Sequence, residues 1–449
     1  MKFAVGKADI TPDAPVFMAG FGARTGKSEG VLDELYAKAL YISPGSDPDL
    51  VILTFDMLGG DRSFVNGLKA VLTERFGLQA ERILINFSHT HAGVYMTGAD
   101  PADRRGGYSM GQERWPERSD EIDYSADLRA DVKVKQQVVD LIDACAGSLK
   151  DGTIELGIGS SRIAVNRRLP TEGGIRFMPH FAGDVDPDLP VFRVRDGDGA
   201  TRALLFAYAC HPTSMGPDNR RLSAEFVGRA CDRLERAVPG AVALYMQGCA
   251  AELKPTFTVE GGRFRACTPE QMIEGGDALA EDVLRVLDTA LFARLEGPFL
   301  ARMSSMRLPL EPKSPEEYER LLEQPGQPEY NRRALSRLVA SIRDGTVKDG
   351  IPLYVSVWHM GRDTRLIAIE GEVSVRYALL LKKLFPGGRT VVLGYSNGVP
   401  TYIPSARVLR EGGYEAEAYR MHGMAGPLRT EIEDMIVGRI VLDDLALRD

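Results

Sequence analysis

The stretch Arg82-Ile-Leu-Ile-Asn-Phe-Ser-His-Thr-His-Ala-Gly93 runs from continuous apolar residues directly into two histidines. An apolar run of this length is typical of a strand that is buried on both faces of a sheet. In α/β proteins, ligands bind beyond the carboxyl ends of such strands, which is where His89 and His91 stand. Because imidazole nitrogen is a preferred zinc ligand, the stretch predicts a metal site at the end of a strand.

Outward from this stretch, short apolar runs alternate with helical patterns along the chain. Further strands are predicted at 51–55, 203–208, 242–245, 353–357, 365–369 and 390–393, and helices at 64–72, 134–145 and 279–291. Buried strands separated by helices favour an α/β fold of mixed, mostly parallel sheets flanked by helices. We predict a single compact catalytic unit over residues 1–449.

Two segments differ from this pattern. Residues 312–350 have a Pro-rich start and a charged helix around Leu335, and we expect a helical insertion there. Residues 100–125 are polar, charged and rich in Gly and Pro, which predicts a surface loop. Trp115 and its charged neighbours form either a lid over the site or a solvated insertion.

Composition limits the class of protein. The 449 residues carry a formal net charge of -8, which argues against a broad nucleic-acid or anionic-membrane surface. The 5 cysteines are odd in number and lack C-x-x-C spacing, as is typical of reduced thiols. The sequence shows no export signal and no apolar stretch of transmembrane length, so we expect a cytoplasmic protein without stable membrane insertion.

Metal-capable side chains also follow other predicted strands. His211 follows the strand at 203–208, and Glu372 follows the strand at 365–369. Together with His89 they would supply two nitrogens and one carboxylate, a ligand set that leaves a catalytic zinc ion one open position. The alternative is that each histidine is a hydrogen-bonded structural residue.

These residues resemble the neutral ceramidase family, the zinc-dependent neutral/alkaline amidases. The segment Phe87–Gly93 is similar to the family's Thr-His-Thr-His-Ser-Gly-Pro and is the most specific match. Further motifs agree in order along nearly the whole chain: Val5–Pro12, Met18–Gly22, Leu35–Ile42, Asn166-Arg167, Asp186, His211, Gly371-Glu372 and Pro400–Pro404.

The resemblance implies a site and a reaction. One zinc ion would be bound by four side chains, which are His89, His211, Glu372 and Tyr402. Zinc-bound water would attack an amide carbonyl, Tyr402 would help to stabilise the oxyanion, and His91 would carry a proton to the leaving amine. The residues expected to contact substrate are Asp9, Arg167, Gln247 and Lys254.

The chain also departs from the family pattern. Lys254 stands where the family has a serine, Lys38 replaces an arginine, and Val94 replaces a proline. We expect no counterpart of the β-sandwich tail of the ceramidases. We therefore expect a smaller and more soluble substrate than ceramide.

The first hypothesis is a zinc-dependent hydrolase that cleaves the amide of a small N-acyl compound. The alternatives are a zinc lactonase or esterase, and a metal-binding recognition protein without catalysis. A small-molecule substrate is the expected partner, and homo-oligomerisation is left open.

Two other motifs carry less weight. Gly20–Ser28 approaches a phosphate-binding loop, but its spacing fails, and a loop at the edge of the site is the better interpretation. Cys249 follows a predicted strand, where we expect a small core thiol in preference to a nucleophile.

Overall fold

The computed structural model describes residues 1–97, 123–326 and 329–448, and the architecture below refers to these residues. The strands are β1 Lys2–Asp9, β2 Gly30–Val31, β3 Tyr36–Ser43, β4 Leu50–Phe55, β5 Gly59–Gly60, β6 Ile83–Phe87, β7 Tyr95–Met96, β8 Lys150–Ser160, β9 Ala164–Thr171, β10 Gly174–His180, β11 Asp188–Asp196, β12 Thr201–Tyr208, β13 Arg221–Leu222, β14 Val242–Gln247, β15 Leu253–Pro255, β16 Val259–Glu260, β17 Arg263–Phe264, β18 Ala293–Arg294, β19 Phe299–Pro309, β20 Gly350–Met360, β21 Thr364–Ile369, β22 Glu372–Val373, β23 Arg389–Leu393 and β24 Tyr402–Ile403. The helices are α1 Arg62–Phe76, α2 Ser125–Ala146, α3 Glu225–Ala237, α4 Pro269–Thr289, α5 Pro315–Leu322, α6 Glu329–Arg343, α7 Val375–Leu384, α8 Ala406–Glu411, α9 Tyr414–Glu417 and α10 Ile432–Ala446.

Two large sheets organise the fold. The first has nine strands in the order β14-β12-β11-β8-β1-β3-β4-β6, with β18 added beside β8, and the second has the order β19-β20-β21-β23. Apolar side chains from both sheets, among them Leu84, Leu244 and Trp358, share one buried cluster. The predicted α/β class with mixed sheets flanked by helices is confirmed.

The pairing within these sheets is more antiparallel than the expectation of mostly parallel sheets. Three pairs are parallel, namely β4 with β6, β12 with β14, and β21 with β23, and the other pairs of the two sheets are antiparallel. Each parallel pair is joined through a helix, which is α1, α3 and α7 respectively. Short turns join β3 to β4, β11 to β12 and β20 to β21, and such connections allow only antiparallel pairing.

Capping residues stabilise the ends of the helices, as α1 and α4 show. Asp61 caps α1 by accepting a hydrogen bond from Phe64 N, and Gly77 closes it in the left-handed region at φ 68°. Helix α4 begins earlier than its apolar pattern indicates, because Thr268 and Gln271 form a capping box ahead of it. None of the helices in the described ranges is long and apolar enough to cross a membrane.

The segment 312–350 contains the predicted helix around Leu335, which is α6, and a second helix, α5. Leu335 and Leu338 of α6 share a buried cluster with Leu353 and Val355 of the second sheet, so the segment packs on the core. Its status as an insertion stays a prediction. The proposed surface loop and lid at 100–125 fall almost wholly on residues 98–122, which lie outside the described residues.

The edge strands of the first sheet meet the second sheet at Asn86 near the end of β6. The Asn86 side chain accepts a hydrogen bond from Gln247 N at 2.7 Å and donates to Gly394 O at 2.9 Å. It also donates to Ser396 Oγ at 3.0 Å. This one amide joins the carboxyl ends of β6, β14 and β23. His89 follows β6, and His211 and Glu372 follow β12 and β21, the strands paired with β14 and β23.

Candidate metal centre

Three fully buried side chains from distant parts of the chain meet beyond these strand ends. His89 Nε2 and His211 Nε2 each lie 3.4 Å from Glu372 Oε2. The opposite nitrogens, Nδ1, contact backbone carbonyls: that of Leu58 at 2.6 Å for His89 and that of Ala250 at 3.0 Å for His211. Because a carbonyl can only accept, each Nδ1 carries the proton and each Nε2 turns its lone pair toward the carboxylate.

The backbone of His89 is held in an unusual conformation. Its φ is 63°, in the left-handed region that few residues other than glycine adopt. A hydrogen bond from His89 N to Met57 O at 2.9 Å fixes the turn. Strain of this kind costs about 1–3 kcal/mol and tends to persist at functional sites. The conformation aims the imidazole away from the strand and toward Glu372.

The facing atoms of this cluster have no hydrogen-bond partner among the residues that the structure describes. They are His89 Nε2, His211 Nε2 and both carboxylate oxygens of Glu372, all buried. An unpaired buried carboxylate beside two unprotonated nitrogens is costly unless a cation lies between them. Burial also holds the pKa of His211 well below its ordinary value, which favours the neutral, metal-binding form. The donor set therefore fits a divalent metal ion such as zinc.

His91 lies against the same cluster. Its ring centroid is 5.0 Å from that of His89 and 5.1 Å from that of His211, and the three histidines form a group that could hold a metal ion. Both ring nitrogens of His91 are buried, and neither has a hydrogen-bond partner in the described part of the chain. His91 is thus placed either to ligate the ion or to act beside it.

Tyr402 enters the site through backbone pairing. Its strand β24 runs parallel to β22, with Tyr402 opposite Glu372. The Tyr402 hydroxyl accepts a hydrogen bond from Arg167 Nη2 at 3.2 Å, and burial raises the pKa of the phenol well above its ordinary value. The structure therefore brings Tyr402 beside the predicted ligands, while its role as a ligand stays a prediction.

Two of the predicted substrate residues lie next to this cluster. Arg167 pairs with Glu415 at 2.8 Å, and its charge is close enough to lower the pKa of His211. Lys254 Nζ donates to Thr213 Oγ1 at 2.6 Å and to Thr213 O at 3.2 Å. Both side chains are buried.

The other two predicted substrate residues are placed differently. Gln247 is fully buried, and both ends of its side-chain amide are hydrogen-bonded within the protein. Its Oε1 accepts a hydrogen bond from Tyr245 Oη, and its Nε2 donates to Cys210 O at 3.0 Å. It therefore positions the chain beside His211. Asp9 is exposed, and its carboxylate accepts a hydrogen bond from Thr11 N at 2.8 Å. No contact in the described residues joins Asp9 to the cluster.

The loop at Gly20–Ser28, which the sequence analysis predicted at the edge of the site, packs against His91. Arg24 donates to His91 O at 2.8 Å and to Ala19 O at 2.9 Å, and the Phe21 ring meets the His91 ring edge-on at 4.8 Å between centroids. Gly20 has φ 101°, and a Cβ there would lie 2.5 Å from His91 Nδ1. The segment that resembled a phosphate-binding loop is thus packed against the site.

Asn86 and Tyr395 are further site residues that the sequence analysis missed. The Tyr395 ring packs on His89 at 4.5 Å between centroids, and its hydroxyl lies 3.4 Å from His211 Nδ1. Asn86 had one visible signal, since it is the single polar residue within a continuous apolar run. Cys249 is a buried core thiol whose pKa burial raises well above its ordinary value. Asp186 binds Lys382 at 2.7 Å instead of a ligand of the cluster.

Comparison with solved structures places this fold among ceramidases. Neutral ceramidase from Pseudomonas aeruginosa matches with a TM-score of 0.72 at 18% identity, covering 98% of this chain and 73% of that one. A ceramidase complexed with C2 matches with a TM-score of 0.70 at 18% identity, covering 99% and 75%. No protein-family model matches the sequence. The fold that the motif resemblance implied is confirmed.

Proposed function

We propose that this chain is a zinc-dependent hydrolase of the neutral ceramidase family that cleaves the amide bond of a small N-acyl compound. The observation that carries the proposal is the pair of Nε2 atoms and the carboxylate of Glu372, which face one another without partners. The shared fold with ceramidases and the Ser-His-Thr-His motif support the choice of an amide as substrate.

Different residues of the site would bind the metal ion and stabilise the oxyanion. His89, His211 and Glu372, with Tyr402 as the fourth candidate, would hold one zinc ion. When bound, zinc supplies Lewis acidity that activates water and polarises the scissile carbonyl. Tyr402, whose hydroxyl accepts a hydrogen bond from Arg167, would donate a hydrogen bond to the developing oxyanion.

His91 has the role of passing a proton to the leaving amine. Its two ring nitrogens are not engaged within the described residues, so one remains available to the substrate. Breaking the C–N bond leaves an amine that must gain a proton, and an imidazole beside the scissile bond shortens that transfer.

A small substrate and a reducing compartment belong to the proposal. The ligand side chains are fully buried among packed protein atoms, which favours a compact substrate over a long lipid. The five cysteines are unpaired, and four of them are buried, as suits a cytoplasmic protein. Homo-oligomerisation stays a prediction.

Metal analysis and a substrate panel test this proposal. We expect the purified protein to hold one zinc ion per chain and to hydrolyse N-acyl amides, and His89→Ala to lose both zinc and at least about a thousandfold of the activity. His359→Gln is the matched control, because His359 pairs with Asp444 in another part of the structure. It should keep metal and activity.

The outcomes also separate the alternatives. Faster turnover of lactones or esters than of amides would favour the lactonase or esterase. A zinc-loaded protein that turns over none of these substrates would favour the recognition protein. Full activity in His89→Ala would contradict the metal mechanism.

A further inference from the structure

Lys254 is a buried cation without a carboxylate partner. Its ammonium group carries three protons, and two of them are used by the backbone carbonyl and the hydroxyl of Thr213. No ion pair to Lys254 exists within residues 1–97, 123–326 and 329–448. One N–H of a buried positive charge is therefore free to bind a ligand.

The surroundings of Lys254 leave this charge only partly compensated. Glu225 lies near enough to act on it, but the Glu225 carboxylate already accepts hydrogen bonds from Ser214 and Met215. The Arg24 guanidinium lies at His91, where it donates a hydrogen bond to His91 O, whereas Arg167 is paired with Glu415. Among the described residues Arg24 has no ion pair, and its Nε is buried without a partner. Buried charges are stable when paired, so this side of the site is suited to an anion.

Lys254 lies on the His91 side of the cluster. His91 N donates to Pro212 O at 3.0 Å, and Lys254 binds the next residue, Thr213. If His91 serves the leaving amine, Lys254 lies beside the amine half of the substrate.

We propose that Lys254 binds a carboxylate on the amine half of the substrate, which makes the substrate an N-acyl amino acid. This inference rests on the proposed amide hydrolysis. Water adds its oxygen to the acyl carbon, the C–N bond breaks, and the nitrogen takes a proton, giving a carboxylic acid and a free amino acid. The carboxylate bound by Lys254 is unchanged in this reaction.

An aromatic surface lies next to Lys254 and suits the apolar part of such a compound. The Lys254 ammonium lies 5.4 Å from the ring centroid of Phe264, and Phe264 meets Phe177 edge-on at 5.8 Å. Phe177 is 48% exposed, so these rings connect the buried lysine to the surface. Burial lowers the pKa of Lys254 to about 8, which leaves the group mostly protonated at neutral pH.

Matched substrates test the proposal. Each N-acylglycine of a panel with acetyl, octanoyl and benzoyl groups is compared with its uncharged N-acylglycinamide, using the zinc-loaded protein. We expect kcat/KM to favour the anionic member by at least about tenfold, because a hydrogen bond to a charged group is worth that much. In Lys254→Met the ratio should fall toward one, and in Lys254→Arg part of it should return. Lys133→Met, which removes a surface charge, should keep the ratio.

Binding measurements keep the inference separate from the proposed function. Calorimetric titration with the same glycines and glycinamides shows anion preference whether or not hydrolysis occurs. Preference that disappears in Lys254→Met, without turnover in the wild type, would support the anion site and contradict the hydrolase. Hydrolysis without anion preference, or a preference that survives in Lys254→Met, would overturn the inference. Lys254→Ser replaces Lys254→Met if thermal denaturation shows that the methionine variant is unfolded.

Discussion

At the scale of single residues, the three histidines of the centre are held in two different ways. The Nδ1 atoms of His89 and His211 each contact a backbone carbonyl oxygen, which fixes the orientation of the two rings. Within the described residues the His91 ring has no such bond, and it is held by packing against Gly20 and Phe21. Ligand geometry is therefore rigid, whereas the position of His91 depends on a neighbouring loop.

Gly20→Ala tests this dependence. The new Cβ would lie 2.5 Å from His91 Nδ1, so we expect His91 to be displaced and kcat to fall about tenfold to a hundredfold while zinc stays bound. Gly45→Ala is the control, since Gly45 has a similar φ of 93° and open space around it. Equal losses in both variants would show that backbone strain, and not contact with His91, causes the effect.

The proximity of His89, His211 and Glu372 could be predicted from sequence because each follows an apolar strand, and their role as metal ligands stays a prediction. Arg24 and Gln247 could not be assigned in this way. Arg24 donates a hydrogen bond to His91 O, and Gln247 donates one to Cys210 O. These bonds join segments that are distant in sequence, so the sequence pattern does not reveal them. The Gln247 amide forms bonds within the protein, and its contact with substrate stays a prediction.

At the scale of elements, the site is built on the parallel pairs of two otherwise antiparallel sheets. The end of β6 leads to His89, the end of β12 to His211, and the end of β21 to Glu372. The prediction that strand ends converge was therefore correct where helices join the strands. It could not reveal the antiparallel strands between them, because a strand buried on both faces has the same apolar pattern in either direction.

Asn86→Ala tests the junction of these elements. The change leaves Gln247 N buried without its acceptor and leaves Gly394 O with only the donor Ser396 Oγ, so we expect a loss of about 2 kcal/mol in the free energy of unfolding. The affinity for zinc should fall as well, because the carboxyl ends of β6, β14 and β23 would no longer be joined by the hydrogen bonds of Asn86. Urea denaturation and metal titration measure the two effects. Asn219→Ala, which removes bonds to Arg221 at the surface, should cost less than about 0.5 kcal/mol.

At the scale of the whole molecule, stability should depend on pH through Lys69. This lysine is buried in α1, where burial lowers its pKa to about 7. An unfolded chain keeps the lysine protonated up to about pH 10. Between these values the unfolded state binds the additional proton, so stability rises with pH by up to about 1.4 kcal/mol per unit.

Lys69→Met is the variant that measures this contribution. It should remove that part of the slope between pH 7 and 10 and raise the free energy of unfolding at pH 7 by about 2 kcal/mol. The difference between wild type and variant cancels the other titrating groups. Lys150→Met, at an exposed position, should follow the wild-type curve. A variant slope identical to that of the wild type would show that Lys69 is protonated in the fold.

The hydrogen bonds of Asn86 also have a consequence for the stage of folding at which a metal ion could bind. Residues 89, 211 and 372 are far apart along the chain, and they meet only after both sheets have formed and docked. Contacts of such long range form late in folding, because closing large loops costs entropy before it yields contacts. A metal ion held by these three residues would therefore find its complete site only after the sheets have docked, and it would not nucleate the fold. Metal content would then measure completed folding, and chains that stall before the sheets dock would lack the complete site.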